Sequence, residues 1–152
     1  MKHLLFVACL ICSLGVQAQL TSISVETFMV HDDTTIPELA GYTTYHVYAN
    51  TTSNTDFVSA VFGDSDNELN FSLSGSLFNS PLGVDFGDSP NPAVFVGFPE
   101  LEFDSWLTIG MMTSDDAGSL ANIGMGGALG SFNTSGDFYI NDPIGGSWFY
   151  PG

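Results

Sequence analysis

The chain has 152 residues, with seventeen Asp and Glu against a single Lys or Arg, and a formal net charge of −16. An acidic excess of that size repels polyanions. It excludes nucleic acid and anionic lipid surfaces as natural partners and favours cations. A hydrophobic fraction of 44% with 13% aromatic residues argues for a folded core rather than disorder.

Taken in chain order, residues 1–18 read first as a secretory signal peptide. Met1-Lys2-His3 forms a short positive n-region. Residues 4–16 are apolar apart from Ser13 and Gly15. Val16-Gln17-Ala18 then places small residues for a cut before Gln19. The apolar run is too short to span a bilayer core of about 30 Å. The expected product is exported, secreted or held at the cell surface, and not an integral membrane protein. Lys2 is the sole Lys or Arg, and Cys9 and Cys12 are the sole cysteines. The exported chain would therefore form no disulfide and no Lys/Arg ion pair. Residues 19–152 suit a single domain with a real core.

Strand periodicity begins with Ile23, Val25 and Thr27 alternating with Ser22, Ser24 and Glu26. In the run 42–49, Tyr42, Thr44, His46 and Tyr48 share one face, and Thr43, Tyr45 and Val47 the other. Residues 36–40 carry a helical turn or two at most. Further strands are predicted at 57–62, 69–73, 103–112, 137–141 and 147–150. Residues 103–112 make the longest of these, with Phe103, Leu107, Ile109 and Met111 on one side and Glu102, Asp104, Trp106 and Thr108 on the other. Core positions are assigned to Val58, Ala60 and Phe62, and to Leu107, Ile109 and Met111. The glycine-rich stretch 124–130 reads as a loop or bulged strand. Connections rich in Gly, Asp, Asn, Ser and Pro separate these runs. The pattern predicts an all-β domain, an antiparallel β-sandwich of jelly-roll type, with no helix beyond two turns.

Four blocks follow one another along the chain: residues 40–49 (AGYTTYHVYA), 56–64 (DFVSAVFGD), 98–110 (FPELEFDSWLTIG) and 140–149 (INDPIGGSWF). Together they resemble a domain of uncharacterised secreted and surface proteins from marine bacteria. The resemblance covers most of residues 40–150. It implies an extracellular β domain of no assigned activity, with a further apolar strand following residue 152. On that basis the chain is either a fragment or a minimal free-standing copy, and if it is a fragment the last strand, around Trp148-Phe149-Tyr150, is expected to leave part of the sheet or core uncovered.

No catalytic residues emerge. Phe62-Gly63-Asp64-Ser65 looks like the nucleophile block of GDS-type esterases. However, both later histidines, His31 and His46, precede Ser65, whereas that family keeps its histidine near the C-terminus. His31-Asp32-Asp33 with His46 offers metal-ligand types but reads as a polar turn beside a cross-strand histidine. Glu100 and Glu102 are one of many carboxylate pairs in an acidic chain. The best cation candidate is Asp64-Ser65-Asp66-Asn67-Glu68. There, Asp64, Asp66 and Glu68 alternate within a turn and can supply several of the oxygens that calcium takes. Trp106, alternating with Asp104 and Thr108, is the candidate for stacking on a sugar. The expected function is a secreted, non-catalytic structural or adhesion-type β-sandwich module, calcium-stabilised if the acidic turn binds. The alternative is an extracellular carbohydrate-binding module. Expected partners are cations, a glycan or another surface protein.

Overall fold

The computed structural model describes residues 20–32 and 34–152. The expected signal peptide, Cys9, Cys12 and Asp33 lie outside the described residues. The first element is β1 (Leu20–Val30), which pairs antiparallel with β2 (Thr43–Thr51). Both strands are rich in β-branched and aromatic residues, which fit a pleated surface. Register sets Val25 against Val47 and Glu26 against His46, with irregularities between Leu20 and Ser22 and between Thr27 and Met29. The connection carries a 3-10 turn, Pro37–Leu39, with Pro opening it and Leu39 only 1% exposed. At this end the ribbon is seated on the body. His31 is buried with its ring 4.6 Å from Phe103, and Tyr42 meets Phe78 edge-on at 5.7 Å.

The body is built from β3 (Ala60–Gly63), β4 (Leu69–Phe71), α1 (Pro92–Phe95), β5 (Ala121–Ile123), α2 (Gly126–Ser135), β6 (Phe138–Ile140) and β7 (Gly146–Phe149). A second 3-10 segment spans Pro99–Phe103. The strands form two small antiparallel sheets, ordered β3-β7-β5 and β4-β6, beside the β1-β2 ribbon. Helix α2 packs on β6 and closes the core. Phe138 stands at the centre, edge-on to Phe132 at 6.2 Å and to Trp148 at 5.8 Å. Met125, Ala128 and Ile140 complete the buried cluster. Perpendicular aromatic pairs of this kind add to simple area burial. The indole N–H of Trp148 donates to the Thr108 carbonyl at 3.2 Å, so no buried polar atom is stranded there.

Several expectations are corrected. The fold is mixed α/β, with three separate small sheets and two α-helices among the described residues, and not an all-β jelly-roll sandwich. Residues 103–112 do not form the longest strand. They leave the 3-10 segment and run irregularly, making an isolated parallel bridge between Phe86 and Leu107 outside the sheets and meeting β7 where the Trp148 indole reaches the Thr108 carbonyl. The stretch 124–130 opens α2 instead of forming a bulged strand, since Met125, Ala128, Leu129 and Phe132 keep a helical apolar period. In β3 the core face is inverted: Val61 packs inward opposite Trp148, whereas Phe62 is exposed. Leu107, Ile109 and Met111 do pack inward, as read. The last strand, β7, is the middle strand of its sheet and is paired along both edges, so it leaves no open edge.

Candidate functional site

Direct cross-strand partners share a face, so register sorts the β1-β2 ribbon into two surfaces. One is polar. Asn50 Nδ2 donates to Ser24 Oγ at 2.9 Å and to Ser22 Oγ at 3.2 Å. His46 Nδ1 lies 3.2 Å from the Tyr48 hydroxyl, and its ring stacks on Phe28 at 4.4 Å. The Tyr48 phenol is shifted upward, mainly by loss of hydration and then by the neighbouring Glu26 carboxylate.

The opposite face is apolar. It carries Leu20, Ile23, Val25, Thr27 and, past the irregularity, Val30 from β1. From β2 it takes Thr43, Tyr45, Val47, Ala49 and Thr51. Leu20, Ile23, Val25, Val30, Tyr45 and Val47 are each more than half exposed. Among the described residues, β1 and β2 pair only with each other. Of the seventeen carboxylates only Glu26 falls within the two strands, and it stands on the other face. The result is an uncharged, mostly apolar surface on a strongly acidic chain. The alternation was legible in the sequence. A sandwich would bury such a row under a second sheet, and among the described residues no second sheet covers it.

The acidic turn is organised around its own backbone. Asp64 Oδ1 accepts from the amides of Asn67 at 2.7 Å and Asp66 at 2.9 Å, and from Asn67 Nδ2 at 3.3 Å. These bonds, led by the Asn67 amide, hold the Asp64 carboxyl below the usual aspartate range. Asp66 and Glu68 are exposed. Glu68 faces the Tyr139 hydroxyl and, after loss of hydration, is a cause of its upward shift. Asp116 serves a separate loop, where Oδ2 accepts from the Met112 and Thr113 amides at 2.7 and 3.0 Å. Asp64, Asp66 and Glu68 are thus neighbours in sequence, with the Asp64 carboxylate turned to the backbone of its own turn and Glu68 to Tyr139. Among the described residues no three His, Cys, Asp or Glu side chains group to hold a metal ion.

The remaining candidates are dispersed. Ser65 lies in an exposed bend, whereas His31 bonds Thr44 Oγ1 at 2.7 Å and His46 bonds Tyr48. Asp32 Oδ1 accepts from the Thr34 hydroxyl and amide, which lowers its pKa. Glu100 and Glu102 sit in the Pro99–Phe103 3-10 segment. Trp106 is half-buried in irregular chain, so the polar strand face that was to present it to a sugar is absent. With the sandwich gone, both expected functions, the structural or adhesion-type β-sandwich module and its carbohydrate-binding alternative, lose the scaffold they rested on. Asp104, expected beside Trp106, turns inward. Its Oδ1 accepts from the Ser80 amide at 2.8 Å and its Oδ2 from Val84 at 3.0 Å, tying the 80–84 loop to the chain after the 3-10 segment.

Among the described residues no helix is long and apolar enough to cross a membrane. No family model matches the chain, and comparison with curated proteins and with solved structures likewise finds no match.

Proposed function

We propose that this protein is an association domain that pairs with a second copy of itself through the apolar face of the β1-β2 ribbon. The observation that carries this reading is the exposed row Leu20, Ile23, Val25, Val30, Tyr45 and Val47 on one face. Contiguous exposed apolar surface marks an interaction site. A two-stranded ribbon is marginal by itself and gains most from a second layer. Charge favours a second copy as the occupant. The face bears no carboxylate, whereas the chain as a whole carries −16, so this is where two copies can meet without opposing charges of one sign. A basic partner would be drawn to the acidic surfaces and would have no reason to prefer the uncharged one. A two-fold contact uses the same patch on both chains and stacks the ribbons at about 10 Å, as packed sheets do.

Export belongs to the same reading and is supported by the N-terminal pattern of residues 1–18. N-terminal sequencing of secreted material checks it, with Gln19 the expected first residue. Association is tested by sedimentation analysis over a range of concentration and salt. The wild type is expected to dimerise, more strongly in sodium chloride. Val25→Glu and Val47→Glu are expected to remain monomeric with unchanged circular dichroism, because both positions are exposed. A wild type that stays monomeric at high concentration in high salt refutes the reading, as does a Val25→Glu dimer of unchanged affinity.

A further inference from the structure

We infer that the cleft between the end of the β3-β7 pair and the 109–117 loop binds an organic ammonium ion, held by the rings of Phe57 and Tyr150 and by the carboxylate of Asp116. The cleft has a volume of about 380 Å³ and is lined by Phe57, Ile109, Met111, Asp116, Ala117 and Tyr150. Its aromatic wall is fixed by the backbone, because the Tyr150 amide donates to the Ser59 carbonyl at 2.9 Å and extends the β3-β7 pairing. The two rings stand edge to face, 5.8 Å apart at 78°, so they offer surfaces in different directions. Phe57 is 62% exposed, so its ring is accessible to a ligand in the cleft. The opposite wall is fixed as well. Asp116 Oδ2 is anchored by the Met112 and Thr113 amides, and the Thr108 hydroxyl donates to the Met111 carbonyl. Those amides hold the Asp116 carboxyl below the usual range, so it stays ionised at neutral pH.

The lining selects the ligand class. Aromatic faces attract a cation through the ring quadrupole, and most strongly one with a diffuse, weakly hydrated charge. A single carboxylate matches a single positive charge. Calcium, by contrast, takes six to eight oxygens, which the apolar lining does not offer. The chain's net charge of −16 raises the local concentration of any cation at the cleft mouth. The size suits an ammonium bearing several alkyl groups, and the mostly apolar lining covers those groups. This site is separate from the ribbon face and does not depend on association there.

The probe is tetramethylammonium chloride, titrated calorimetrically into the intact chain against sodium chloride of equal ionic strength. Neopentyl alcohol, which carries the same quaternary branching with one added hydroxyl for solubility, serves as the uncharged counterpart. Saturable binding of tetramethylammonium, with neopentyl alcohol much weaker, is the expected result. Phe57→Leu keeps an apolar side chain at an exposed position but removes the ring, and is expected to weaken binding about three- to tenfold. Asp116→Asn keeps an acceptor for the loop amides and is expected to weaken binding as well. Should that variant lose its fold, Phe57→Leu decides alone. Equal affinity for neopentyl alcohol, unchanged binding by Phe57→Leu, or heats no greater than those of sodium chloride would each overturn the inference.

Discussion

Asp104 is the carboxylate that the fold treats differently from the others. It is only 8% exposed, and burial raises its pKa against the opposing pull of the Ser80, Val84 and Ser105 amides. Its two oxygens nevertheless satisfy two backbone donors of the 80–84 loop. Asp104→Ala leaves those amides unpaired and is expected to cost roughly 2–4 kcal/mol in urea unfolding. The pH dependence follows from the sign of each shift. A raised pKa means that the Asp104 contribution is complete below the ordinary aspartate value of about 4 and is lost as pH rises through the folded value. Asp64, with a lowered pKa, contributes above that ordinary value and loses its contribution as pH falls through its folded one. Asp104→Asn should therefore flatten the stability profile on the alkaline side of about pH 4, and Asp64→Asn on the acid side. Urea midpoints measured across that range check both directions. Strand alternation gave no hint of the Asp104 role. It placed the residue on a polar outer face, and only the break of regular structure after the Pro99–Phe103 3-10 segment turns it inward.

At the scale of elements, most strands were legible as short apolar or aromatic runs between turn residues: β1, β2, β3, β4, β6 and β7 fall within or beside their predicted runs, whereas β5 (Ala121–Ile123) was not read. The errors have physical causes. Helix α2 was concealed by Gly126, Gly127 and Gly130, poor helix formers that tertiary packing overrides once Ala128 and Phe132 reach the core. Its stop signal was nonetheless present. Gly136 takes the left-handed conformation at φ 82°, and its amide bonds the Phe132 carbonyl at 3.1 Å. The short α1 was announced by Asn91-Pro92, since Asn91 Oδ1 accepts from the Ala93 amide at 2.9 Å and Pro opens the turn. Residues 103–112 failed in the other direction, because a two-residue apolar rhythm also fits an irregular segment pinned by scattered side chains. Two substitutions test α2. Gly136→Ala forces a side chain into the left-handed region and towards Leu77, and should cost about 1–2 kcal/mol. Gly130→Ala meets no atom within 4 Å and should stabilise by about 0.5–1 kcal/mol. Thermal and urea unfolding of the two variants should move in opposite directions.

For the whole molecule, charge and the ribbon face act together. Seventeen carboxylates face one Lys or Arg, Lys2, which lies outside the described residues, so their mutual repulsion opposes both folding and association. Added salt screens that repulsion over roughly 10 Å at 0.1 M. Sodium chloride should therefore raise the melting temperature of any concentration of protein. Dimerisation through the uncharged ribbon face adds a second, separable effect, because a folded state that binds its own copy is stabilised by mass action and melts higher as protein concentration rises. Val25→Glu puts a fifth-wheel charge on that face without disturbing a buried contact, since the side chain is 63% exposed. Differential scanning calorimetry over a matrix of protein and salt concentrations separates the two terms. The wild type should respond along both axes. Val25→Glu should keep the salt response and lose the concentration response. A wild type whose melting temperature is independent of its own concentration in high salt would leave screening as the only term and remove the ribbon face from the account of its stability.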